Sequence, residues 1–207
     1  PFIIIAVDNV MIISMNSVLQ TYGGPGEGDM LITCATIVQS FMLVITMPLG
    51  GITGGTQTIL AFNYGAGQPD RVKKAQRFIF LLSAGYTTIL FILAQTAGHI
   101  FVRLFTSDPA LIAEAAKTIK IYTLAVIPLS IQYVIVDGFT GLGKVQLSLP
   151  LSFFRKLVYF LPLFLLPRFF GARATFYAEP ISDIIAPVVS IFIYAVAMKR
   201  ILKKPVI

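Results

Sequence analysis

The sequence has few charged residues, no tryptophan, and only one cysteine and one histidine. The single cysteine, Cys34, lies in an apolar run, which excludes a disulfide framework and predicts a buried, unreactive thiol. The single histidine, His99, leaves little from which a Ser-His-Asp triad or a Cys/His metal site could be built. There is also no P-loop and no Gly-x-Ser-x-Gly motif, so we predict that the protein is not an enzyme and carries no cofactor.

Apolar residues dominate what is present. The chain is 57% hydrophobic and 12% charged, whereas soluble domains carry about 25% charged residues. The apolar residues form runs of about 20, long enough to cross a bilayer. The net charge is +7, but the cations lie at the ends of these runs, as in membrane proteins, and this pattern excludes a nucleic-acid partner.

These runs predict an all-α, polytopic membrane protein: one bundle of six transmembrane helices over residues 1–207. Gly-Gly-Pro-Gly at 23–26 predicts a turn, and Thr-Ser-Asp-Pro at 106–109 predicts a helix start. No charged segment precedes the first run, so it is not a signal peptide, and we expect the chain to be a fragment cut at the start of a membrane helix. The predicted spans are 2–22, 30–63, 72–101, 109–142, 145–169 and 172–200.

Lysine and arginine divide unequally between the two sides of this layout. With the link 64–77 in the cytoplasm, eleven cations fall on that side and five on the other, in accordance with the positive-inside rule. The cytoplasmic cations are Arg71, Lys73, Lys74, Arg77, Lys144, Arg155, Lys156, Lys199, Arg200, Lys203 and Lys204. The external cations are Arg103, Lys117, Lys120, Arg168 and Arg173. We therefore predict a protein of the inner (plasma) membrane with a cytoplasmic C-terminus.

The most informative segment is 48–77, PLGGITGGTQTILAFNYGAGQPDRVKKAQR. Small residues recur four positions apart within it, at 50 and 54 and at 51 and 55, and predict close packing of a neighbouring helix. An Asn-Tyr-Gly-Ala-Gly stretch then leads into a basic interfacial loop. The residues that carry this pattern are Gly54, Gly55, Gly65, Gly67 and Arg71.

This segment resembles the helix-loop signature of multidrug and toxic-compound extrusion (MATE) transporters, and further motifs follow in the family's order. They are Tyr22-Gly23-Gly24, Gly141-Leu142-Gly143-Lys144, Arg155 where the fifth helix begins, Leu161-Pro162 to Leu166-Pro167, and Ala178-Glu179-Pro180-Ile181-Ser182-Asp183. The bacterial, clostridial-type branch is the most similar. The resemblance implies the C-terminal lobe of a twelve-helix transporter whose N-terminal six-helix lobe is missing. It also implies export of amphipathic, in part cationic, small molecules by Na⁺ or H⁺ antiport.

Asp8 and Asn9 form the first candidate site, two turns into the first span. An intramembrane carboxylate beside an amide can hold Na⁺, or can carry a proton when it is buried. The resemblance adds that the matching position takes part in cation or substrate binding in some family members. The alternative is a carboxylate solvated near an interface.

Tyr133 and Asp137 form the second candidate site, because residues four apart share a helix face. That face can line a cavity and meet a cationic substrate. Alternatively, Asp137 lies near the cytoplasmic end and pairs with Lys144 or Arg155. Gln57 and Asn63 are weaker substrate-binding candidates, since such residues more often serve hydrogen bonds between helices.

Glu179 and Asp183 form a third pair with the same spacing, on either side of Pro180. A proline within a helix frees the carbonyl four residues earlier, and two carboxylates there can form a site. A structural role near the outer end, paired with Arg168 or Arg173, is the alternative.

We therefore predict a cation-coupled multidrug exporter. One alternative is a lipid-linked oligosaccharide flippase of the same superfamily, which would need cations in its cavity for pyrophosphate; the spans show almost no central Arg or Lys. The other is a lobe fragment that does not transport.

The charge distribution makes a topological prediction. A reporter placed at Gly67 or after Ile207 should be cytoplasmic, and one at Gly26 or near Pro109 should be external. Accessibility of a tag at each site to a membrane-impermeant reagent measures this. Two adjacent links on the same side would refute the six-span count.

Overall fold

The computed structural model describes residues 2–202, with side chains from residue 6 onward. Within this range the chain forms α-helices joined by short links, with one short 3₁₀ helix, Ala172–Tyr177. The α-helices are α1 (Phe2–Gly23), α2 (Glu27–Gly55), α3 (Gln57–Gly65), α4 (Pro69–Val102), α5 (Pro109–Tyr122), α6 (Val126–Gly141), α7 (Val145–Phe170) and α8 (Ala178–Ile201). The predicted all-α membrane architecture is confirmed.

Helix boundaries follow local chemistry. Asp108 caps α5 by accepting a hydrogen bond from the backbone N–H of Ala110, and Pro109 occupies the first turn, where its missing N–H is not needed. Gly171 ends α7 at φ +79°, a backbone angle that side chains disfavour. The helix start that the sequence predicts at residues 106–109 is confirmed, because α5 begins at Pro109.

Three predicted spans are divided in the structure. The second has a break at Thr56, whose hydroxyl bonds back to the carbonyls of Ile52 and Thr53. The fourth is bent by 49° between α5 and α6. Pro128 explains this bend. In a continuous helix its ring would clash with the carbonyl of residue 124, and its nitrogen has no hydrogen to donate to that carbonyl. The sixth begins as the 3₁₀ helix.

Four helical stretches in the described part of the chain have the length and hydropathy of a membrane span, and the bent α5–α6 pair provides a fifth. They are Glu27–Gly65, Pro69–Val102, Val145–Phe170 and Ala172–Ile201. The predicted span 2–22 begins with residues whose side chains lie outside the described set. The count of six therefore stays a prediction.

Contacts between the links agree with the alternation expected from the charges. At one end, the Lys144 ammonium lies 5.5 Å from the centre of the Tyr64 ring, which joins two links assigned to the cytoplasm. At the other, Arg173 pairs with Glu27 at 2.7 Å and with Glu114 at 2.6 Å. The N-terminal parts of α2 and α5 thus meet the 3₁₀ helix at the side assigned to the outside.

Two cations in that assignment lie elsewhere. Arg155 and Lys156 are in the middle of α7 and not at its cytoplasmic end. Without these two residues, nine cations fall on the side assigned to the cytoplasm and five on the other side. The nine include Lys203 and Lys204, which lie outside the described residues. The side assigned to the cytoplasm therefore still carries more cations than the other side.

The expected close packing on the glycine face of α2 is wrong within the described chain. A Cβ built on Gly50, Gly51, Gly54 or Gly55 meets no other atom within 4 Å. Close approach occurs on α6 instead. A Cβ on Gly141 would lie 3.0 Å from the carbonyl oxygen of Gln57.

Helix α6 lies between α3, α4, α7 and α8 and is held by buried polar contacts. The Gln76 amide donates to the carbonyl of Val134 at 3.0 Å, and the Gln132 amide donates to that of Leu151 at 3.2 Å. Ser190 of α8 donates to the Gln132 side-chain oxygen at 2.5 Å. Such bonds fix the rotation of α6 and therefore which residues it presents to its neighbours.

Substitution of Gly141 tests this packing. Gly141→Leu should reduce the folded yield in detergent several-fold, because the new side chain meets the backbone of α3 at its Cβ. The matched control, Gly54→Leu, places the same side chain in open space and should leave the yield near that of the parent. Equal yields, measured by size-exclusion profile, would show that the α3–α6 contact is not tight.

Candidate transport cavity

Helices α1, α2, α5, α6, α7 and α8 contribute to a cavity of about 810 Å³. Its walls are mostly apolar, with Met11, Met42 and Leu43 among them. Charged side chains enter it from four helices, α1, α6, α7 and α8. This combination of apolar walls and a few polar groups suits an amphipathic ligand.

The first charged group is the Arg155 cluster: Arg155, Glu179, Asp183, Tyr122 and Tyr159. Arg155 Nη1 donates to Asp183 Oδ1 at 2.8 Å and to Glu179 Oε1 at 3.1 Å. The Tyr122 hydroxyl donates to Glu179 Oε2 at 3.4 Å and is hydrogen-bonded to Tyr159. Removing charges from water is costly, and one guanidinium shared by two carboxylates offsets part of that cost.

The position of α8 explains how two carboxylates reach one arginine. Because α8 begins at Ala178, Pro180 lies in the first turn of this α-helix, directly after the 3₁₀ helix. The carbonyl expected to be freed, that of Phe176, belongs to the 3₁₀ helix, and its freedom stays a prediction. Glu179 and Asp183 remain on one face and point toward α7, so their partner is Arg155 and neither Arg168 nor Arg173.

The second charged group is an ion pair between Lys156 of α7 and Asp8 of α1. The Lys156 side chain is 6% exposed and the Asp8 side chain 49%. Residues 155 and 156 are adjacent, so their side chains diverge around the helix. One turn of α7 thus binds α8 on one side and α1 on the other.

The third charged group is Asp137 of α6. Its carboxylate accepts hydrogen bonds from Thr53 Oγ1 at 2.5 Å and from Gln57 Nε2 at 3.1 Å. Both donors lie beside the break between α2 and α3. No cationic side chain of residues 6–202 forms an ion pair with Asp137, so neither Lys144 nor Arg155 neutralises it.

The cavity brings together several of the predicted residues. Asp8, Tyr133, Asp137 and Arg155 line it, and Asp183 lies directly behind Glu179. Gln57 reaches the cavity through its bond to Asp137.

Other predicted residues lie elsewhere. Asn9 is exposed and does not line the cavity. Asn63 donates within its own helix, to the carbonyl of Ile59 at 2.8 Å. Gly65 at the end of α3, Gly67 in the link and Arg71 in the first turn of α4 are all exposed.

Sequence reasoning missed the role of Lys156 and placed Arg155 at a helix end. A signal was present: two adjacent cations with about ten residues of the same apolar run on either side. Cations in the centre of a membrane span are costly and therefore indicate buried partners.

Known proteins share this fold and part of this sequence. Residues 5–166 match the family model described as MatE. The chain is 25% identical over 151 residues to an FAD transporter of Shewanella oneidensis, in an alignment that covers 72% of this chain and 33% of the relative.

Solved structures give a similar result. The chain superposes on an inward-facing and an outward-facing multidrug resistance MATE family transporter of the MOP superfamily, with TM-scores of 0.82 and 0.86 and 15% identity to each. These matches cover 94% and 96% of this chain, but 45% and 44% of the solved chains.

The helical fold is thus that of solved MATE family transporters. The chain belongs to the MatE family, whose members are transporters and not enzymes. It spans about half the length of the solved structures it matches and one third of the FAD transporter.

Replacing Arg155 tests the cluster as a structural element. Arg155→Ala should lower the free energy of unfolding by about 3–5 kcal/mol, because it leaves two buried carboxylates without their cation. Lys73→Ala is the control. It breaks the ion pair between Lys73 and Asp70, whose side chains are 63% and 94% exposed, and it should have little effect on stability. Thermal unfolding in detergent measures both. Similar melting temperatures would mean that the cluster does not hold α7 to α8.

Proposed function

We propose that this chain is the C-terminal lobe of a cation-coupled multidrug exporter, which exchanges Na⁺ or H⁺ for amphipathic, often cationic compounds. The missing N-terminal lobe would complete the transport path. The protein would lie in the inner (plasma) membrane with the C-terminus in the cytoplasm, where the basic links favour it. The fold is similar to transporters in both inward-facing and outward-facing states, which supports alternating access by rocking of two lobes.

The observation that carries this proposal is the Asp137 carboxylate. It faces the cavity with two neutral donors and no cationic partner among the described residues. Asp8 and Lys156 balance each other, and the two carboxylates of the Arg155 cluster exceed its arginine by one charge. With Asp137, the net charge around the cavity is negative even when one carboxylate of that cluster carries a proton, which favours a cationic guest within apolar walls.

Coupling requires that the driving cation and the substrate favour different states of the cavity. Asp8 is our candidate for the coupling carboxylate, with Asn9 next to it on the same helix. The ion pair with Lys156 adds a condition, because a cation that binds Asp8 competes with a tethered ammonium for the same oxygen. The Asp8 carboxylate therefore stays paired with a cation whether or not the ion is bound, whereas the displaced Lys156 ammonium must lose a proton or pair with another anion.

A second candidate function, transport of a substrate that carries pyrophosphate, has two observations in its favour. Arg155 and Lys156 line the cavity, so the argument from a lack of central cations against a pyrophosphate-bearing substrate no longer holds. The FAD transporter is also a relative by sequence. Both cations are already paired with carboxylates, however, and an anionic group near them meets those carboxylates as well. The geometry thus supports a cationic substrate over a lipid-linked oligosaccharide or a dinucleotide.

Gradient-driven efflux from proteoliposomes containing the complete transporter tests the proposal. Asp137→Asn should weaken the apparent affinity for ethidium about tenfold or more, because an amide of the same size no longer offsets the positive charge. Efflux of a neutral dye should change much less. Asp8→Asn should instead bind ethidium while losing the response to an imposed Na⁺ or proton gradient.

The controls separate the rival functions. Parent protein that moves FAD or a polyprenyl pyrophosphate lipid, but no cationic dye, would overturn the proposal in favour of an anionic substrate. Transport by the two lobes together but by neither lobe alone would identify this chain as inactive in isolation. An unchanged ethidium affinity in Asp137→Asn would remove that carboxylate from the substrate site.

A further inference from the structure

The Arg155 cluster contains more acid than base. Glu179 and Asp183 share a single guanidinium, and the Asp183 side chain is only 1% exposed. If both carboxylates were ionised, a net negative charge would be buried within membrane-spanning helices. That arrangement is unfavourable in a low dielectric, and a group in this position commonly becomes neutral by binding a proton.

The two carboxylates differ in how their oxygens are satisfied. Glu179 receives donors on both oxygens, Arg155 on Oε1 and Tyr122 on Oε2. It also lies in the first turn of α8, where the helix dipole favours negative charge. Asp183 receives Arg155 on Oδ1 only, and its Oδ2 is buried without a hydrogen-bond partner. An ionised oxygen without a donor is the least stable member of the cluster.

Every element packed against this pair supplies a group that bears on its charge. Tyr122 comes from α5, Tyr133 from α6, and Arg155 and Tyr159 from α7. The 3₁₀ helix offers Arg173, which is instead paired with Glu27 and Glu114. Lys156, the next residue of α7, pairs with Asp8. Among the described residues, Arg155 is therefore the cation that balances the two carboxylates.

A sodium ion fits this position poorly. Na⁺ prefers several oxygen ligands around an open centre, and the guanidinium already lies between the two carboxylates and would repel it. No group of three acidic, histidine or cysteine side chains that could hold a metal ion occurs among residues 2–202. A proton needs only one oxygen, and Asp183 Oδ2 provides it.

We propose that Asp183 holds an exchangeable proton on Oδ2 while Glu179 remains ionised and paired with Arg155. Glu179, Tyr122 and Arg155 line the substrate cavity, and Asp183 lies behind them. A cationic substrate close to Glu179 raises the positive potential at Asp183. The proton then leaves Oδ2 for solvent, and the negative charge left on Asp183 offsets the positive charge of the substrate, so that cluster and substrate together keep the charge of the resting cluster. This inference rests on the proposed function only for that exchange; the protonated carboxyl is a property of the resting protein.

Infrared spectroscopy of the complete transporter in lipid, without substrate, tests the resting state. A protonated carboxyl without a hydrogen-bond partner gives a C=O band at high frequency, which shifts in D₂O. We expect this band at neutral pH in the parent and its loss in Asp183→Asn. Glu179→Gln should also remove it, because Asp183 must then ionise to balance Arg155. Asp70→Asn, which replaces an exposed carboxylate in the first turn of α4, should keep it.

The outcomes separate the two proposals. If the parent lacks the band, or if Asp183→Asn retains it, the proton site is excluded regardless of what the protein transports. If the band behaves as expected but no cationic dye is exported, the proton site remains and the proposed function fails.

The thermal stability of the Asp183→Asn variant provides a further test of the protonated carboxyl. An amide closely matches a neutral carboxyl, so Asp183→Asn should unfold near the parent temperature, whereas an ionised Asp183 would make the substitution clearly destabilising. If Asp183→Asn does not fold, that result contradicts a neutral Asp183, and Glu179→Gln still assigns the band.

Discussion

A guanidinium in the middle of a membrane helix must find its counter-charge within the bundle. Arg155 finds two, Glu179 and Asp183, and these contacts attach α7 to α8 and set the rotation of both. The adjacent Lys156 is thereby directed to Asp8 on α1. Breaking a buried pair leaves a charge in a low dielectric, so this one turn of α7 constrains three helices at once.

The cavity follows from the same constraint. Polar groups that pair with one another form its floor and sides, and apolar side chains such as Met42 and Leu43 form the remaining walls. Asp137 differs, because its donors Thr53 and Gln57 are neutral and come from the break between α2 and α3. A paired charge supports the architecture, whereas a carboxylate without a counter-cation is available to a ligand. This difference is why the proposed function places substrate binding at Asp137, while the Arg155 contacts join α7 to α8.

Most of the fold could be predicted from hydropathy, because apolar runs of bilayer length leave few alternatives to membrane helices. The two breaks in the helices, after α5 and at Thr56, were harder to predict from the sequence. Pro128 signals the bend after α5, but the break at Thr56 has only Gly54 and Gly55 before it as a local sign. The same glycines suggested close packing that the described chain does not contain, since a small residue permits a near neighbour but does not supply one.

The sequence by itself determined that this is a helical membrane protein and which family signature it resembles. It also identified Asp8, Asp137 and Asp183 as costly residues within apolar runs. Only the tertiary structure decided their partners. Lys156 and Asp8 are 148 residues apart, Thr53 and Asp137 are 84 apart, and Arg155 and Asp183 are 28 apart. Pairings at such separations depend on how each helix is rotated and where it is broken, and those features arise from packing between helices, which no local pattern encodes.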